Sequence, residues 1–162
     1  MHDDRIFYGH YDSPIGRLQL FSNGEALVAL YMAEHRHQQL FTRDCRQADA
    51  LFVQAREQLA AYFAGELKRF DLPLCPKGTA FQQKVWAGLQ QIPFGGTESY
   101  AALAARIGQP TASRAVGMAN GRNPLSVIIP CHRVIGADGA LTGYGGGLQR
   151  KQWLLQHEQA MA

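Results

Sequence analysis

The first 32 residues alternate between short apolar runs and turn-forming residues. Residues 7–11, 18–22 and 26–32 are rich in aliphatic and aromatic side chains, and this pattern predicts three β-strands. Asn23 and Gly24 lie between the second and third runs. This dipeptide predicts a β-hairpin with a type I′ turn, because that turn requires positive φ at both central residues.

The pattern changes to helical spacing after a polar stretch. Residues 34–46 are rich in His, Gln and Arg, and we interpret them as a loop or an exposed helix. Residues 51–63 predict an amphipathic helix. Its apolar face is made of Leu51, Phe52, Ala55, Leu59, Tyr62 and Phe63. Gly65 is expected to end this helix. The first part of the chain is therefore predicted to be a small sheet covered by one helix, without a catalytic pattern of its own.

Two prolines and a glycine in residues 71–78 interrupt the regular pattern. Such a segment is typical of a linker between domains. We therefore expect a sheet-plus-helix domain at residues 1–71, a linker at residues 72–78 and a helix-rich domain at residues 79–162.

The second domain begins with three helical patterns. Thr79 and Gln82 have the spacing of a capping box, and an apolar stripe follows them. The members of this stripe are Phe81, Val85, Trp86, Leu89 and Ile92. A second helix is predicted at residues 100–107 with Ser99 as its N-cap, and a third, with Thr111 as its N-cap, is predicted to end near residue 121. Two short helices joined by a glycine-containing turn, in a basic domain, are typical of a helix-turn-helix.

The third helix has an unusual composition. Its small residues are Ala112, Ser113, Ala115, Gly117 and Ala119, whereas Arg114 is the long side chain near its start. Small side chains allow a backbone to approach the minor groove of DNA, which is only about 6 Å wide. Tight packing against a neighbouring helix explains the same composition equally well.

A β-branched run leads to a cysteine near the end of the chain. Residues 127–129 predict a short buried strand, and Pro130 is expected to end its pairing because proline has no N–H donor. Cys131 would then lie at the edge of the core with its thiol open on one side. His132 follows directly, and a cysteine needs a nearby base to react well at neutral pH. The alternative role for Cys131 is that of a small buried hydrophobe.

A glycine-rich loop and a helix close the chain. Residues 142–147 contain four glycines and Tyr144 but lack the spacing of a phosphate-binding loop. We interpret this loop as a wall whose bare amides can approach a ligand. A last helix is predicted at residues 148–156, and His157 and Glu158 stand at its end.

Composition narrows the class of protein. The hydrophobic content of 46% suits a packed core, and no apolar run reaches the roughly 18 residues that a membrane helix needs. No signal-peptide pattern stands at the N-terminus, so a soluble protein is expected, with no membrane partner. Three cysteines without a Cys-x-x-Cys pair indicate reduced thiols in a reducing cytosol, not disulfides or a zinc site.

Charge is divided unevenly between the two parts. Residues 1–71 carry eight Lys/Arg and ten Asp/Glu, a balance of −2, whereas residues 72–162 carry eight and three, a balance of +5. A basic half suggests contact with a polyanion. Ordinary charge fluctuation on a small domain remains an alternative explanation for this difference.

The sequence Pro130-Cys131-His132-Arg133-Val134 resembles the active-site signature of the O6-alkylguanine-DNA alkyltransferases, and the similarity extends over residues 79–158. The resemblance implies an α+β protein, with a small N-terminal sheet-plus-helix domain and a helix-rich, winged helix-turn-helix-like domain that carries the cysteine. It implies minor-groove binding and base flipping. It further implies stoichiometric, irreversible repair of O6-alkylguanine, and of O4-alkylthymine, in double-stranded DNA.

We expect no cofactor, a monomer, and a cytoplasmic location with access to chromosomal DNA. The zinc-ligand cysteines of some members have no match in the first half, so no metal is expected.

The same resemblance implies roles for individual residues. Cys131 would accept the alkyl group, His132 would act as the base through a water, and Glu158 would orient His132. Tyr100 would donate a proton to the departing guanine, and Asn123 would hydrogen-bond across the active-site turn. Arg114 would fill the gap left by the flipped base, with neighbouring DNA contacts at Thr111, Ala112, Ser113 and Ala115. Without the family, Glu158 reads as a solvated helix-end carboxylate, Arg114 as a phosphate contact and Tyr100 as a packing aromatic.

The substrate pocket is expected to be apolar. Its walls would be Val127, Ile129, Pro130, Tyr144 and Gly145. Many relatives carry serine after the loop tyrosine, where the hydroxyl can donate to O6 of the base, but this chain has Gly145. A glycine also widens the pocket, and we therefore hypothesise tolerance of alkyl groups larger than methyl.

Three other functions fit the sequence less well. A non-repairing alkylguanine-binding protein would lack the cysteine, so Cys131 argues against it. A winged-helix regulator with an inert Cys131 is the next alternative. A cysteine hydrolase would need an oxyanion hole and turnover, and the sequence points to neither.

Overall fold

The computed structural model describes residues 5–32, 45–141 and 144–160 of the 162-residue chain. Its first part is a four-stranded sheet in the order β3-β2-β1-β4. The strands are β1 (Ile6–Ser13), β2 (Gly16–Ser22), β3 (Leu27–Met32) and β4 (Cys45–Gln47). Neighbouring strands are antiparallel except β4, which runs parallel to β1. The three predicted strands are thus confirmed.

The hairpin between β2 and β3 is formed, but the predicted type I′ turn is wrong. Gly24 has a φ of +100°, whereas Asn23 does not adopt a positive φ. The side chain of Asn23 closes the connection instead. Its Oδ1 accepts the backbone N–H groups of Glu25 and Ala26, each at 2.9 Å.

Among the described residues, one helix covers the sheet. A 3-10 turn at Asp49–Phe52 leads into α1 (Val53–Phe63), as the apolar spacing predicts. Gly65 follows the helix with a φ of +80°, as expected for a residue that ends it. Of the polar stretch, residues 34–44 lie outside the described residues. Cys45 and Arg46 belong to β4, not to the loop or helix that the polarity predicted.

The second part is rich in helix. Its elements are α2 (Ala80–Leu89), β5 (Glu98–Ser99), α3 (Tyr100–Arg106), α4 (Ser113–Gly121), a 3-10 turn (Cys131–Arg133), β6 (Val134–Ile135) and α5 (Leu148–His157). The capping box of Thr79 and Gln82 is present, and the Ser99 side chain accepts the N–H of Ala102. The predicted α+β class, with a helix-rich second part, is confirmed.

Two local predictions in this part are wrong. Thr111 does not cap α4; the N-cap is Ala112, which makes no side-chain cap hydrogen bond. Residues 127–129 do not form a strand. They lie in a buried turn in which Val127 has a φ of +72°.

The core continues from one part into the other. One hydrophobic cluster includes Leu30 and Met32 of β3, Leu59 of α1, and Trp86 and Leu154 of the second part. The outer edge of β3 is also covered by backbone from outside the sheet. Leu27 pairs with Leu74, and Leu30 pairs with Leu125. Covering an edge strand in this way satisfies its N–H and C=O groups.

Among the described residues, no helix has the length and apolar character needed to cross a bilayer.

Candidate active site

Cys131 follows a tight turn that Asn123 holds together. The Asn123 side chain donates from Nδ2 to the carbonyl of Ile129 at 2.8 Å and accepts the N–H of Leu125 at 3.0 Å. It is only 2% exposed, so these contacts are protected from water. Val127 within the turn has a positive φ, which is rare for a β-branched residue and requires such support. The turn thus fixes the backbone that leads into Cys131.

The thiol of Cys131 is buried, with an exposed fraction of 4%, so the expectation of a side open to solvent is wrong. Burial raises the pKa of Cys131, whereas a hydrogen bond from Asn123 and the charge of Lys151 act in the opposite direction. The raised pKa keeps the thiol neutral at neutral pH. A reaction at this sulfur therefore needs a base and a partner that shields it from water.

His132 and Glu158 are brought together although they lie 26 positions apart in the sequence. His132 Nε2 lies 2.8 Å from Glu158 Oε2, and both side chains are inaccessible to solvent. Glu158 is therefore not a solvated helix-end carboxylate. Burial lowers the pKa of His132 despite the hydrogen bond with Glu158. Its Nδ1 is buried and has no hydrogen-bond partner among the described residues.

Two further side chains bind Glu158, and neither was predicted to belong to the site. Arg133 donates from Nε to Oε1 at 2.8 Å and from Nη2 to Oε2 at 3.0 Å. The hydroxyl of Tyr62, in α1, donates to Oε2. Burial alone would raise the pKa of Glu158, but hydrogen bonds from His132 and Arg133 hold it far below its ordinary value. Arg133 stands in the signature itself. In the sequence, Tyr62 stands out only because its hydroxyl is a polar group on a helical face that is otherwise apolar.

Lys151 is a buried cation near Cys131 that sequence reasoning also missed. Its ammonium donates to the carbonyl of Val134 at 2.6 Å, and the side chain is fully buried. Burial lowers the pKa of Lys151 to about 8, and the charge of Cys131 acts against this shift. A buried cation beside a thiol favours its thiolate form.

The glycine-rich loop contributes a buried aromatic ring. Tyr144 is 5% exposed, and burial together with the charge of Cys131 raises the pKa of its hydroxyl. Gly146 lies against this ring and β3; a Cβ there would meet Met32 Sδ at 2.4 Å and the Tyr144 ring at 2.8 Å. Gly145, between Tyr144 and Gly146 in the sequence, is half-buried.

The predicted pocket walls do not all line the cavity beside the active-site turn. A cavity of about 560 Å³ lies against the active-site turn, and Val127 and Pro130 are on it. Its lining does not include Ile129, Tyr144, Gly145 or Cys131. It is lined in part by Lys68, Arg69, Phe70 and Phe94. Most of it therefore belongs to the surface between the two parts of the chain.

The outer face of α4 is basic and exposed. Arg114, Ala115 and Arg122 are exposed, as is Thr111 before the helix, whereas Ala112 and Ser113 are half-buried. Met118, one turn beyond Arg114, is 66% exposed. Tyr100, at the start of α3, is half-buried next to α4; a Cβ at Gly117 would lie 3.6 Å from its ring. The small residues of α4 thus serve both close packing and an open outer face.

Known proteins resemble this chain along nearly its whole length. The family model for the 6-O-methylguanine DNA methyltransferase DNA-binding domain matches residues 80–160, and that for the ribonuclease-like domain of the same family matches residues 6–76. The methylated-DNA–protein-cysteine methyltransferase of Mycobacterium tuberculosis is 52% identical over 157 residues, covering 97% of this chain and 94% of the relative. The protein of the same name in Methanosarcina acetivorans is 46% identical, covering 94% and 98%. The crystal structure of Mycobacterium tuberculosis OGT in complex with DNA superposes with a TM-score of 0.91 at 51% identity, covering 95% of this chain and 93% of that one.

Proposed function

Because this chain belongs to the 6-O-methylguanine DNA methyltransferase family, we propose that it repairs O6-alkylguanine in duplex DNA by moving the alkyl group irreversibly onto Cys131. The family that the signature resembled is thereby confirmed. The observation that carries the residue-level proposal is the buried chain of contacts from Arg133 through Glu158 to His132, directly beside Cys131 in sequence. Such a chain suits a thiol that must lose its proton away from water.

The reaction is a displacement at a saturated carbon. The sulfur of Cys131 attacks the alkyl carbon, the bond between that carbon and O6 breaks, and its electron pair remains with the purine. The thiol proton passes to His132 Nδ1 through a bridging water, which suits a buried ring nitrogen that has no hydrogen-bond partner in the described part of the chain. The purine gains a proton from the Tyr100 hydroxyl, and the proton that His132 took from the thiol then returns through water to Tyr100. One thiol and one alkylguanine thus give one thioether and one guanine, and no group among the described residues reverses the step.

Three contacts favour the thiolate in this site. Glu158 stabilises the imidazolium that forms on His132, as an oriented carboxylate does in other nucleophile–base pairs. Lys151 adds a positive charge near Cys131, and Asn123 lowers the pKa of Cys131 by hydrogen bonding. These effects oppose the pKa rise that burial causes. The thiol is therefore inert towards solvent and reacts once a substrate carbon is held against it.

DNA is proposed to bind along α4. Its exposed Arg114 and Arg122 can neutralise phosphates, and the small residues between them allow close approach to the minor groove. Met118 would add an apolar contact of the kind that minor-groove proteins use. The target base must leave the stack to reach a buried sulfur, at a cost of a few kcal/mol, and Arg114 would replace part of the lost stacking. We propose that the protein works as a monomer in a reducing cytoplasm, where chromosomal DNA is accessible.

A direct experiment tests the proposal. The protein is mixed with duplex DNA containing O6-methylguanine, and the intact mass and the alkylated peptide are measured. We expect one methyl group per molecule, on Cys131, and no further turnover. Cys131→Ser should abolish transfer and keep DNA binding, whereas Cys75→Ser, at an exposed thiol, should transfer normally. Binding without transfer by the unmodified protein would instead support a non-repairing lesion-binding protein.

A further inference from the structure

Tyr62 connects the first part of the chain to the carboxylate beside the active-site histidine. It lies in α1, 96 residues before Glu158, and its hydroxyl donates to Glu158 Oε2. The same oxygen lies 2.8 Å from His132 Nε2. The Tyr62 ring is fully buried, so the contact is shielded from water. Its ring neighbours are Phe63, Phe70, Phe94 and His157.

The donors around Glu158 determine which nitrogen of His132 carries a proton. Arg133 can only donate, and the Tyr62 hydroxyl remains protonated because burial and Glu158 raise its pKa. Glu158 remains ionised because its pKa is far below the ordinary value. An ionised carboxylate can only accept, so the neutral His132 must donate from Nε2. This assignment leaves the lone pair of Nδ1 free to accept a proton.

We propose that Tyr62 is a positioning residue of the alkyl-transfer site, which sets the basicity of His132 by hydrogen bonding to the oxygen that His132 also uses. Tyr62 and His132 compete for the charge of one oxygen. A donor to the carboxylate disperses that charge and reduces how strongly the carboxylate stabilises an imidazolium. The first part of the chain thereby supplies a piece of the catalytic site. This inference rests on the proposed function.

Several other charged or titratable groups face this cluster. They are Cys131 and Arg133 on the 3-10 turn, Lys151 and His157 on α5, and Tyr144 on the glycine-rich loop. Tyr62→Phe leaves each of them in place and removes one oxygen without changing the net charge. The phenylalanine ring also preserves the aromatic packing. The substitution therefore isolates the hydrogen bond to Glu158.

The test is a pH titration of the His132 imidazole by NMR in the full-length protein without DNA. In Tyr62→Phe we expect the pKa of His132 to rise by about half a unit or more, because Glu158 then offers its full charge to the ring. The matched control is Tyr31→Phe, which removes the same atom from another buried tyrosine, in β3 and 1% exposed. An unchanged titration in Tyr62→Phe, or an equal shift in both variants, would overturn the proposal.

A second variant keeps the test decisive if Tyr62→Phe does not fold. Fluorotyrosine at position 62 keeps the hydroxyl but makes it a stronger donor, so the pKa of His132 should fall. The same pair of variants can be followed by single-turnover alkyl transfer as a function of pH, where the rising limb should move with the pKa of His132. If the unmodified protein transfers no alkyl group, the proposed function fails, while the NMR titration still decides the role of Tyr62.

Discussion

Arg133 and Glu158 form a two-pronged ion pair inside the protein, with Nε to Oε1 at 2.8 Å and Nη2 to Oε2 at 3.0 Å. The Arg133 side chain is 7% exposed and that of Glu158 is fully buried. The second terminal nitrogen of Arg133 donates to the carbonyl of Ile92 at 2.7 Å. The pair therefore joins the active-site turn, the end of α5 and the segment after α2. Its geometry suggests a structural role as well as a chemical one.

The first prediction concerns this ion pair. Glu158→Gln leaves the Arg133 guanidinium buried without its anion, and breaking a buried pair in this way costs about 3–5 kcal/mol of unfolding free energy. Urea unfolding would measure the loss. Glu98→Gln is the matched control, because Glu98 pairs with the partly exposed Arg106, and a pair near the surface is worth about 0–1 kcal/mol. Equal losses in the two variants would contradict the assignment.

The second prediction is that acid destabilises the fold in two stages. The pKa of His132 is lowered in the folded protein, so below about pH 6.5 the unfolded chain binds a proton that the folded chain does not, and stability falls. The lowered pKa of Glu158 adds a second loss as pH falls below about 4.3. Each group can contribute up to about 1.4 kcal/mol per pH unit.

Urea unfolding at a series of pH values tests this dependence. The pKa of His10 is also lowered, by burial, so the total slope does not identify one histidine. The comparison is therefore with His132→Gln, whose stability should fall less steeply between pH 6.5 and 5. Identical slopes for the two proteins would exclude His132 as a source of the pH dependence.

The third prediction concerns Arg114. Removing its exposed side chain in Arg114→Ala should slow repair in duplex DNA by roughly tenfold, equivalent to about 1.4 kcal/mol of lost stacking, and should slow reaction with free O6-benzylguanine much less. Single-turnover rates on the two substrates provide the comparison. Arg17→Ala is the control, since Arg17 is an exposed arginine on the sheet, 65% accessible. Equal slowing on both substrates would remove the argument for stacking.

The fourth prediction concerns Gly145. If its missing side chain widens the pocket, O6-benzylguanine and O6-methylguanine in DNA should inactivate the protein at rates within about tenfold of each other. Gly145→Val should slow the benzyl reaction more than the methyl reaction, because added volume excludes the larger group. Taking the ratio of the benzyl and methyl rates within each protein corrects for any general loss of activity in the variant. A strong bias against benzyl in the unmodified chain would refute the hypothesis.

Features that depend on neighbouring residues were predictable from the sequence. The capping box at Thr79 and the cap at Ser99 need only a few consecutive residues, and both are present. Thr111 has the right residue type for a cap, but Ala112 donates to Gln109 in a turn that delays the start of the helix. Local propensity indicates that a helix is near but does not fix its first residue.

Features that depend on distant partners were not predictable. The β-branched residues 127–129 have strand propensity, yet Asn123 and the edge of β3 hold this region as a turn. Tyr62 looks like any aromatic residue on a helix until Glu158 is placed beside it. Lys151 likewise reads as a surface lysine although it is buried. The roles given to Cys131, His132 and Glu158 came from the resemblance over residues 79–158, and they stay predictions.

The contacts along the edge of β3 bear on whether the second half of the chain can fold its active-site turn without the first half. The backbone of Leu30 forms hydrogen bonds with Pro124 at 2.7 Å and Ser126 at 3.3 Å, in the active-site turn. The backbone of Leu27 forms hydrogen bonds with Pro73 at 2.9 Å and Cys75 at 2.8 Å, in the segment before α2. A polypeptide of residues 79–162 alone would keep Cys131 but lose β3, the strand to which the active-site turn is hydrogen-bonded. We therefore expect the second half to keep the shape of its active-site turn only while β3, or an equivalent strand, is packed against it.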